Sequence, residues 1–455
     1  MAEPTIVLTS AGSLVAFAIL RCLEGMRGEL TIVGANSVAA PIAFGCDRLY
    51  RVPPTAVAPA HEAALREVLA RERPRLVLPG RDEDLAVLAA LAASGDFPET
   101  LFPVPPPSLA PVFLDKRSTH RFARDHGLPF APTAADAVEA AALARAHGYP
   151  MLAKPWSGAG SRGVLLLRDA AELSAAAGDA TLMVQAFLGG GPPAEAVRWA
   201  DGMPWRGGFD DEEATVEMTT APDGVVSTLC LDRGTTAPPL RTEVRLIEDE
   251  AATAVGLAWA RALAAHGHRG VVNIQGKRLT DGRFVPWEIG ARFGGTAMAR
   301  AALGRNQILH LVREWLGLPI PAMTSRPGAV CLETRRVTIP QAWTRRFAGQ
   351  GKWSAPRAGA GRAVMVLEDA SDSLGAATID GDRLAVAAYA RRHDLPFLPT
   401  AATAEQAAAL GLPLVGKPRR GDGPARLFED GRAVAAALAA GGMVAQPLLG
   451  ADELA

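Results

Sequence analysis

The chain has 455 residues, more than the roughly 250–300 that one hydrophobic core supports, so a single small domain is excluded and several packed subdomains are expected. Apolar residues make up 49% and charged residues 21%, which excludes an intrinsically disordered chain. The 47 basic and 48 acidic side chains leave a net charge of −1, so no global basic field would recruit nucleic acid or an anionic membrane. This composition favours a small-molecule partner.

The cysteines and the first residues of the chain indicate the cellular compartment in which the protein is expected. The four cysteines lie far apart, without a Cys-x-x-Cys pair or a histidine at ligand spacing, which argues against a zinc site or a disulfide framework. The chain begins Met-Ala-Glu-Pro and continues directly into an apolar run, and no stretch reaches about 18 consecutive apolar residues. We therefore expect reduced thiols, no membrane span and a cytoplasmic protein.

The first 112 residues alternate short β-branched runs with helical patterns. The strand-like runs are 5–8, 30–33 and 76–78, and the helical ones are 15–23 and 61–71. This order predicts βαβ units, a parallel sheet and a Rossmann-like domain. The first turn, 9–13, lacks the GxGxxG pattern of dinucleotide-binding loops, so a plain strand-to-helix turn is the preferred interpretation.

A second unit follows a cluster of prolines between 101 and 111, which interrupts any helix. It opens with an amphipathic stretch from Asp115 to His126. The predicted elements that follow are helix 136–147, strand 151–154, a glycine-rich loop at 157–163, and strands 164–167 and 182–185. The order is thus helix, strand, glycine loop, strand, helix, strand.

The next segment combines an apparent insertion with a hairpin. Residues 189–211 carry neither the helical nor the strand period, and they are interpreted as a loop insertion. The predicted elements after it are strand 214–218, helix 248–266, and a hairpin of strands 271–275 and 284–289 that turns at Asp281-Gly282. Further on lie a strand-like run at 331–339 and a Gly/Ala/Arg-rich passage at 348–363.

The C-terminal part repeats an earlier segment. Residues 128–133 reappear as 395–400, residues 148–155 reappear as 411–418, and Gln185 is matched by Gln446. Coincidence between alanine-rich helices is the alternative, but the matches keep their order and their prolines. We predict that 376–455 is a shortened second copy that lacks the hairpin half.

Two groups of residues are suited to phosphate chemistry. Lys154 ends an apolar strand before the glycine-rich loop, whose exposed N–H groups can wrap phosphate oxygens beside the ammonium. A surface lysine before an ordinary glycine turn is the alternative. The hairpin places Asn273 and Gln275 on one strand and Glu288 on the other, and the period of two puts them on one face. Such oxygen donors suit Mg²⁺, although a solvated sheet face would show the same pattern.

The order of these motifs resembles the ATP-grasp superfamily, within it the group built like one half of the carbamoyl phosphate synthetase large subunit. The matching motifs are Asp115-Lys116, Gly160-Ser161-Arg162-Gly163-Val164 after Lys154-Pro155, Val184-Gln185-Ala186-Phe187-Leu188, Glu213-Ala214-Thr215-Val216-Glu217, Val272-Asn273-Ile274-Gln275 and Glu288-Ile289-Gly290-Ala291-Arg292-Phe293-Gly294-Gly295. The resemblance runs from about residue 5 to 339 and returns in degraded form from about 380. It implies an ATP-grasp α/β fold (α+β core) with a Rossmann-like N-terminal domain, a two-lobed core and a truncated second lid-like copy.

The resemblance also implies domain bounds and ligand contacts. The implied domains are 1–112 (Rossmann-like), 113–188 (lid, with the glycine loop), 189–325 (catalytic), 326–375 (connecting) and 376–455 (truncated lid copy). ATP would be contacted by Lys116 and Lys154, by the loop residues Gly158, Gly160, Ser161 and Gly163, by the hinge residues Gln185, Ala186, Phe187 and Leu188, and by Glu213 at the ribose. Magnesium would be bound by Gln275 and Glu288, with Mn²⁺ able to substitute.

Catalytic roles are implied for Arg292, Lys154 and Arg241. Arg292 matches the region that stabilises an acyl-phosphate, and Arg241 falls where related proteins place a basic residue near the phosphates, with a solvated loop arginine as the alternative. The family reads Glu-x-Asn-Pro-Arg where this chain has Gly290 and Ala291, so one amide oxygen is missing from the expected metal shell. The N-terminal carboxylates at 82–84 would either line the pocket between domains or cap the following helix.

The activity implied is ATP-dependent joining of a carboxylate to an amine through an acyl-phosphate, with release of ADP and phosphate. A nucleotide-binding scaffold without activity, and a kinase that makes an acyl-phosphate for another enzyme, are the alternatives. The partners would be small-molecule carboxylate and amine substrates, without nucleic acid or membrane, and a homodimer is possible. The truncated copy keeps Arg383, Lys417, Gln446 and Glu453 at matching positions but has no metal-binding hairpin.

Overall fold

A computed structural model gives the structure of most of the chain. It describes residues 3–158, 163–188, 213–233, 236–237, 240–241, 243–326, 331–332, 347, 350–354, 401–410, 414–418, 426–428, 430–439 and 443–447. The chain divides into two compact units, 1–367 and 368–455. The positions Gly160, Ser161, Arg383 and Glu453 and the segment 189–211 lie outside the described residues, so the predictions that concern them stay predictions.

The N-terminal domain is a parallel sheet between helices, as predicted from the alternating pattern. Its parallel strands are β1 (Thr5–Leu8), β2 (Thr31–Asn36), β3 (Arg48–Arg51) and β4 (Leu76–Leu78). Its helices are α1 (Leu14–Cys22), α2 (Ala58–Glu72) and α3 (Asp84–Ser94), with 3₁₀ turns at Glu24–Met26 and Pro41–Gly45. Ile6 and Leu8 pack with α1 on one face, and Val7 packs with α2 and α3 on the other. Burial on both faces explains why β1 is apolar from Ile6 to Leu8.

A strand from much later in the sequence completes this sheet. The strand Lys352–Ser354 (β17) pairs antiparallel with β3, so that within the described residues the strand order is β17-β3-β2-β1-β4. The segment predicted only to connect domains thus supplies the last strand of the first domain. The same segment also supplies Cys331–Leu332 (β16), which belongs to another sheet.

The part predicted to be the lid, called so below, is a small antiparallel sheet covered by two helices. Its strands are β5 (Thr133–Ala134), β6 (Met151–Pro155), β7 (Leu165–Leu167) and β8 (Leu182–Ala186), in the described order β5-β8-β6-β7. Its helices are α6 (Ala137–His147) and α7 (Ala170–Ala177). Each begins with an aspartate N-cap, since the carboxylates of Asp136 and Asp169 accept the N–H groups of Glu139 and Glu172. The cap makes Ala137 the first residue of α6, one residue after the predicted start.

The part predicted to be the catalytic subdomain, called so below, is built on a larger antiparallel sheet. Its strands are β9 (Glu213–Thr220), β10 (Val226–Arg233), β13 (Glu243–Leu246), β14 (Val271–Arg278), β15 (Phe284–Gly290) and β16, in the described order β15-β14-β9-β10-β13-β16. A separate two-stranded pair consists of β11 (Thr236–Ala237) and β12 (Leu240–Arg241). The associated helices are α4 (Ala110–Leu114), α5 (Lys116–Asp125), α8 (Glu250–Ala265), α9 (Ala297–Ala302) and α10 (Gln307–Trp315).

Helix α8 covers the apolar face of this sheet. Alternate residues of β9, namely Ala214, Val216 and Met218, face α8 and lie in one core with Trp259. Gly256 allows the close approach, since a Cβ there would lie 2.8 Å from Val216. The other alternate residues of β9 are therefore turned toward the opposite face, where the side chains are polar.

The second unit has a sheet of its own. Its described elements are α11 (Ala404–Leu410), β18 (Leu414–Pro418), β19 (Arg426–Phe428), α12 (Gly431–Ala439) and β20 (Met443–Pro447). Among these the strand order is β19-β18-β20, and a bridge joins Ala401 to Ala445. Across all described residues, no helix has the length and apolar character needed to cross a membrane.

Candidate active site

The polar face of the catalytic sheet brings distant residues together. Glu288 lies directly opposite Gln275 across β15 and β14, and Gly290 lies opposite Asn273. On the other side of β14, Asn273 lies opposite Glu217 of β9. Directly opposed residues of an antiparallel pair have Cβ atoms about 4.5–5.5 Å apart, so these side chains share one surface, as the period of two predicts.

Lys154 is buried at the end of β6 and is held in place by two oxygen atoms. Its Nζ donates to Oε1 of Gln185 at 2.7 Å and approaches the carbonyl oxygen of Trp287 at 3.4 Å. Gln185 in turn donates from Nε2 to the hydroxyl of Thr133 at 2.9 Å. Burial lowers the pKa of Lys154 to about 8, while Glu288 raises it and Lys116 lowers it. The lysine is thus a partly desolvated ammonium held by neutral groups.

Lys116 approaches the same place from the start of α5. Its Nζ donates to the carbonyl oxygen of Gly158 at 2.9 Å and lies 3.8 Å from Oε1 of Glu288. Its position follows from the cap of α5, where Asp115 accepts the N–H of Arg117 and turns the chain into the helix. Two lysines and a carboxylate from three separate segments therefore meet at the junction of lid and catalytic sheet.

Arg292 lies just beyond the end of β15 and is held by the N-terminal domain. Its Nη2 donates to Oδ2 of Asp82 at 2.6 Å and its Nη1 donates to the carbonyl oxygen of Phe293 at 3.1 Å. Asp84 instead begins α3 and accepts the N–H groups of Gly80 and Arg81, together with the hydroxyls of the first turn. Of the carboxylates at 82–84, Asp82 thus reaches the site, whereas Asp84 fixes the turn before α3; the N-cap residue of α3, Glu83, makes no side-chain capping hydrogen bond, so the predicted cap is not formed.

A buried charge cluster supports the loop that follows Arg292, and sequence reasoning missed it. The guanidinium of Arg300 is completely buried and pairs with both Glu217 and Asp232. Glu217 also accepts the N–H of Gly294 at 2.6 Å and the amide of Asn273 at 2.8 Å. Burial would lower the pKa of Arg300, but the two carboxylates raise it above its usual value. The only sequence signal was the polar residue at every second position of β9.

The glycine loop and the hinge are described in part. Gly158 and Gly163 have positive φ angles of 116° and 74°, which favour glycine, and a Cβ at Gly163 would lie 2.9 Å from Pro155. In the hinge, the N–H of Ala186 donates to the carbonyl oxygen of Pro132 at 2.9 Å, within the sheet. Phe187 and Leu188 follow the end of β8. The N–H of Ala186 is thus already hydrogen-bonded to another residue of the lid.

Of the remaining predicted residues, Glu213 lies on the same sheet and Arg241 lies in the separate two-stranded pair. Glu213 opens β9 directly opposite Lys277 of β14, two residues beyond Gln275. Arg241 lies in β12, opposite Thr236. Lys277 was not predicted, although composition offered a signal: the chain has only five lysines among 47 basic residues. Three of those five, Lys116, Lys154 and Lys277, belong to this region.

The side-chain oxygen atoms on this face can be compared with the ligands that Mg²⁺ prefers. Mg²⁺ takes one or two protein oxygens and completes its shell with phosphates and water. Gln275 and Glu288 offer one amide and one carboxylate oxygen side by side, and on the same face the Nδ2 of Asn273 donates to Glu217. Within the described ranges, no group of three or more His, Cys, Asp or Glu side chains is placed to hold a metal. The residues present fit an ion that depends on a nucleotide for most of its ligands.

Comparison with known proteins identifies the fold. No protein-family model matches the chain, and no curated protein sequence matches it. Among solved structures, N5-carboxyaminoimidazole ribonucleotide synthetase from Thermus thermophilus superposes with a TM-score of 0.54 at 17% identity, over 77% of this chain and 90% of that one. The corresponding synthetase from Staphylococcus aureus gives 0.53 at 11% identity, over 72% and 80%.

A biotin carboxylase from Campylobacter jejuni gives a TM-score of 0.51 at 16% identity, over 70% of this chain and 72% of that one. At such low identities the likeness concerns the fold. The fold is a mixed α/β arrangement with a parallel N-terminal sheet and antiparallel sheets in the lid and the catalytic subdomain. The chain therefore has the ATP-grasp fold that its sequence motifs predict.

Proposed function

We propose that the protein is an ATP-dependent carboxylate–amine ligase that forms an amide through an acyl-phosphate. The observation that carries the proposal is the meeting of Lys116, Lys154 and Glu288, with Arg292 just beyond the end of the same strand. Phosphoryl transfer needs positioning and charge neutralisation rather than a protein nucleophile, and these residues supply both. Structures of the same fold were solved with ADP and with an ATP complex, which supports a nucleotide at this place.

In the proposed reaction, an oxygen of the substrate carboxylate attacks the γ-phosphorus of ATP. The bond from that phosphorus to the ADP oxygen breaks, leaving an acyl-phosphate and ADP. The amine then attacks the carbonyl carbon, the carbon–oxygen bond to phosphate breaks, and the amine nitrogen loses a proton. Lys116 and Lys154 neutralise the transferring phosphate, and Arg292 holds the anionic intermediate. Arg241 and Glu213 are proposed contacts to the phosphate and the ribose.

Magnesium fits this proposal through Gln275 and Glu288. When bound, the ion would neutralise phosphate charge. Lys116 would share that task, since its ammonium lies beside the same carboxylate. Because Gln275 is neutral, Glu288 carries the only negative charge of this proposed pair, and Gly290 adds no side-chain oxygen, so the removal of Glu288 should have a large effect.

The C-terminal segment is proposed to be a shortened copy of the lid. Its described strand order, with the bridge at Ala401, parallels β5-β8-β6-β7 of the lid, with β20, β18 and β19 in the places of β8, β6 and β7. Lys417 lies in β18, at the position that Lys154 occupies in β6. A cytoplasmic location and a homodimer stay predictions from the sequence.

The experiment is calorimetric titration of ATP into the full chain, with and without Mg²⁺, using wild type, Glu288→Gln and Lys154→Met. Glu67→Gln, which alters an exposed carboxylate of α2, is the matched control. We expect magnesium-dependent binding in wild type and the control, a loss of magnesium dependence in Glu288→Gln, and at least about tenfold weaker binding in Lys154→Met. Binding that ignores magnesium and both substitutions would refute the assigned site.

Product analysis separates the ligase from its alternatives. Pools of carboxylates and amines would be incubated with the protein and MgATP, and ADP and phosphate measured. ADP that requires both pools supports the ligase. ADP formed with carboxylates alone indicates a kinase that makes an acyl-phosphate. Magnesium-dependent ATP binding without ADP from any pool would favour the inactive scaffold over the ligase.

A further inference from the structure

Two histidines meet where two helices end, apart from the site described above. His126 is the residue that caps the C-terminal end of α5, and His266 occupies the same position on α8. Their Nε2 atoms lie 3.3 Å apart, and both side chains are exposed. The ring planes are nearly perpendicular, at 87°.

The protonation of both rings follows from their other nitrogen atoms. Nδ1 of His126 lies 2.9 Å from the carbonyl oxygen of Phe122, and Nδ1 of His266 lies 2.9 Å from that of Ala262. A carbonyl oxygen only accepts, so each Nδ1 carries the hydrogen. In two neutral rings, both Nε2 atoms then present lone pairs to each other. Two acceptors at this distance need a cation between them.

The separation suits a tetrahedral transition-metal ion. With metal–nitrogen bonds of about 2.0–2.1 Å, two ligands at the tetrahedral angle lie about 3.3–3.4 Å apart. Metal-bound histidines typically donate their other N–H to a carbonyl or carboxylate, as both rings do here. The ends of both helices also carry partial negative charge, which favours a cation beside His126 and His266.

We propose that His126 and His266 bind a divalent transition-metal ion of the Zn²⁺ class through their Nε2 atoms. Among the described residues there is no third His, Cys, Asp or Glu side chain in place, so solvent completes the shell. Phe122 forms an apolar wall behind the site, with ring centroids 4.1 Å from His126 and 5.3 Å from His266. The ion would join the helix that begins at Lys116 to the helix that supports the catalytic sheet.

The test is calorimetric titration of Zn²⁺ into tag-free, EDTA-treated and desalted full-length protein. Wild type would be compared with His126→Gln, His266→Gln and the double variant. His147→Gln is the matched control, because His147 is also exposed and also ends a helix, α6. We expect one binding event in wild type and the control, weakened at least about tenfold by either single substitution, since even changes to residues that only hydrogen-bond a metal ligand weaken metal sites by about 10–100-fold.

Equal Zn²⁺ affinity and stoichiometry in wild type and the double variant would overturn the proposal and would indicate a pair that shares a proton. A second measurement needs no variant. Cu²⁺ added at one equivalent should give an electron paramagnetic resonance spectrum with splitting from two imidazole nitrogens. Splitting from fewer nitrogens would also overturn it. Neither readout depends on ATP, so the outcome is independent of the proposed ligase activity.

Discussion

The buried ammonium of Lys154 predicts how ATP binding depends on pH. The pKa of Lys154 is lowered from 10.5 to about 8, which means that its charged form is less favourable than in water by roughly 3 kcal/mol. Below pH 8 the lysine of the free protein is charged and ready to contact phosphate. Above pH 8 the protein must take up a proton to bind, so the affinity falls as the pH rises. At pH 9 only about one molecule in ten carries the charge, and we expect about tenfold weaker MgATP binding than at pH 7.

A substitution of Gln185, the neutral hydrogen-bond partner of Lys154, tests this pH dependence directly. In Gln185→Glu, a carboxylate replaces the amide oxygen that lies 2.7 Å from Nζ. At about 3 Å and an effective dielectric constant of about 20, opposite charges attract by roughly 4–6 kcal/mol, which exceeds the penalty of burial. The pKa of Lys154 should then return toward its ordinary range. The loss of MgATP affinity between pH 7 and 9 should shrink to less than about twofold.

The assay is calorimetric titration of MgATP at pH 7, 8 and 9, repeated in two buffers of different ionisation enthalpy to count protons taken up. Lys154→Arg is the control, because a guanidinium stays charged throughout this range and should give a flat profile. Proton uptake at pH 9 is expected in wild type and absent in both variants. A wild-type affinity that is equal at pH 7 and 9 would refute the reasoning, as would an unchanged profile in Gln185→Glu.

Three further outcomes follow from packing and charge. Arg300→Met leaves two buried carboxylates without a partner and should lower the free energy of unfolding by about 3–5 kcal/mol in urea, whereas Arg261→Met on the exposed side of α8 should change it by less than about 1 kcal/mol. Gly270→Ala should destabilise by at least about 2 kcal/mol, because φ is 109° and a Cβ would lie 2.4 Å from the carbonyl oxygen of Pro103; an unchanged urea midpoint would contradict this geometry. Glu288→Gln should leave the free energy of unfolding within about 1 kcal/mol of wild type while it weakens MgATP binding, and a folding defect would argue for a structural role instead.

Helices and strands with strong periodicity were predictable from the sequence. The hairpin of β14 and β15 was predicted from its alternating residues and its Asp-Gly turn, and the structure places the predicted magnesium residues Gln275 and Glu288 directly opposite each other. The start of α5 directly after Asp115 was predictable because a capping residue is a local signal. At these places the residue types and the period of the sequence pattern were sufficient to predict the structure.

Long-range partners were not predictable. The sequence marked Arg292 and the carboxylates at 82–84 but did not pair Arg292 with Asp82, since the ion pair joins two domains through a contact that no periodicity encodes. Arg300 also gave no signal, because an arginine on a short helix is usually exposed and here it is completely buried between two carboxylates. The bond of Gln185 to Lys154 joins adjacent strands of the lid, β8 and β6, and it depends on their register.

The antiparallel strand β17 has a consequence for synthesis and for engineering. Until Lys352–Ser354 emerge from the ribosome, the outer edge of β3 presents unpaired N–H and C=O groups, which are open to pairing with another chain. A truncation that ends with the catalytic subdomain would leave that edge uncovered permanently. Expression of shortened versions should therefore retain residues through 354, and versions that stop before 352 are expected to aggregate during translation.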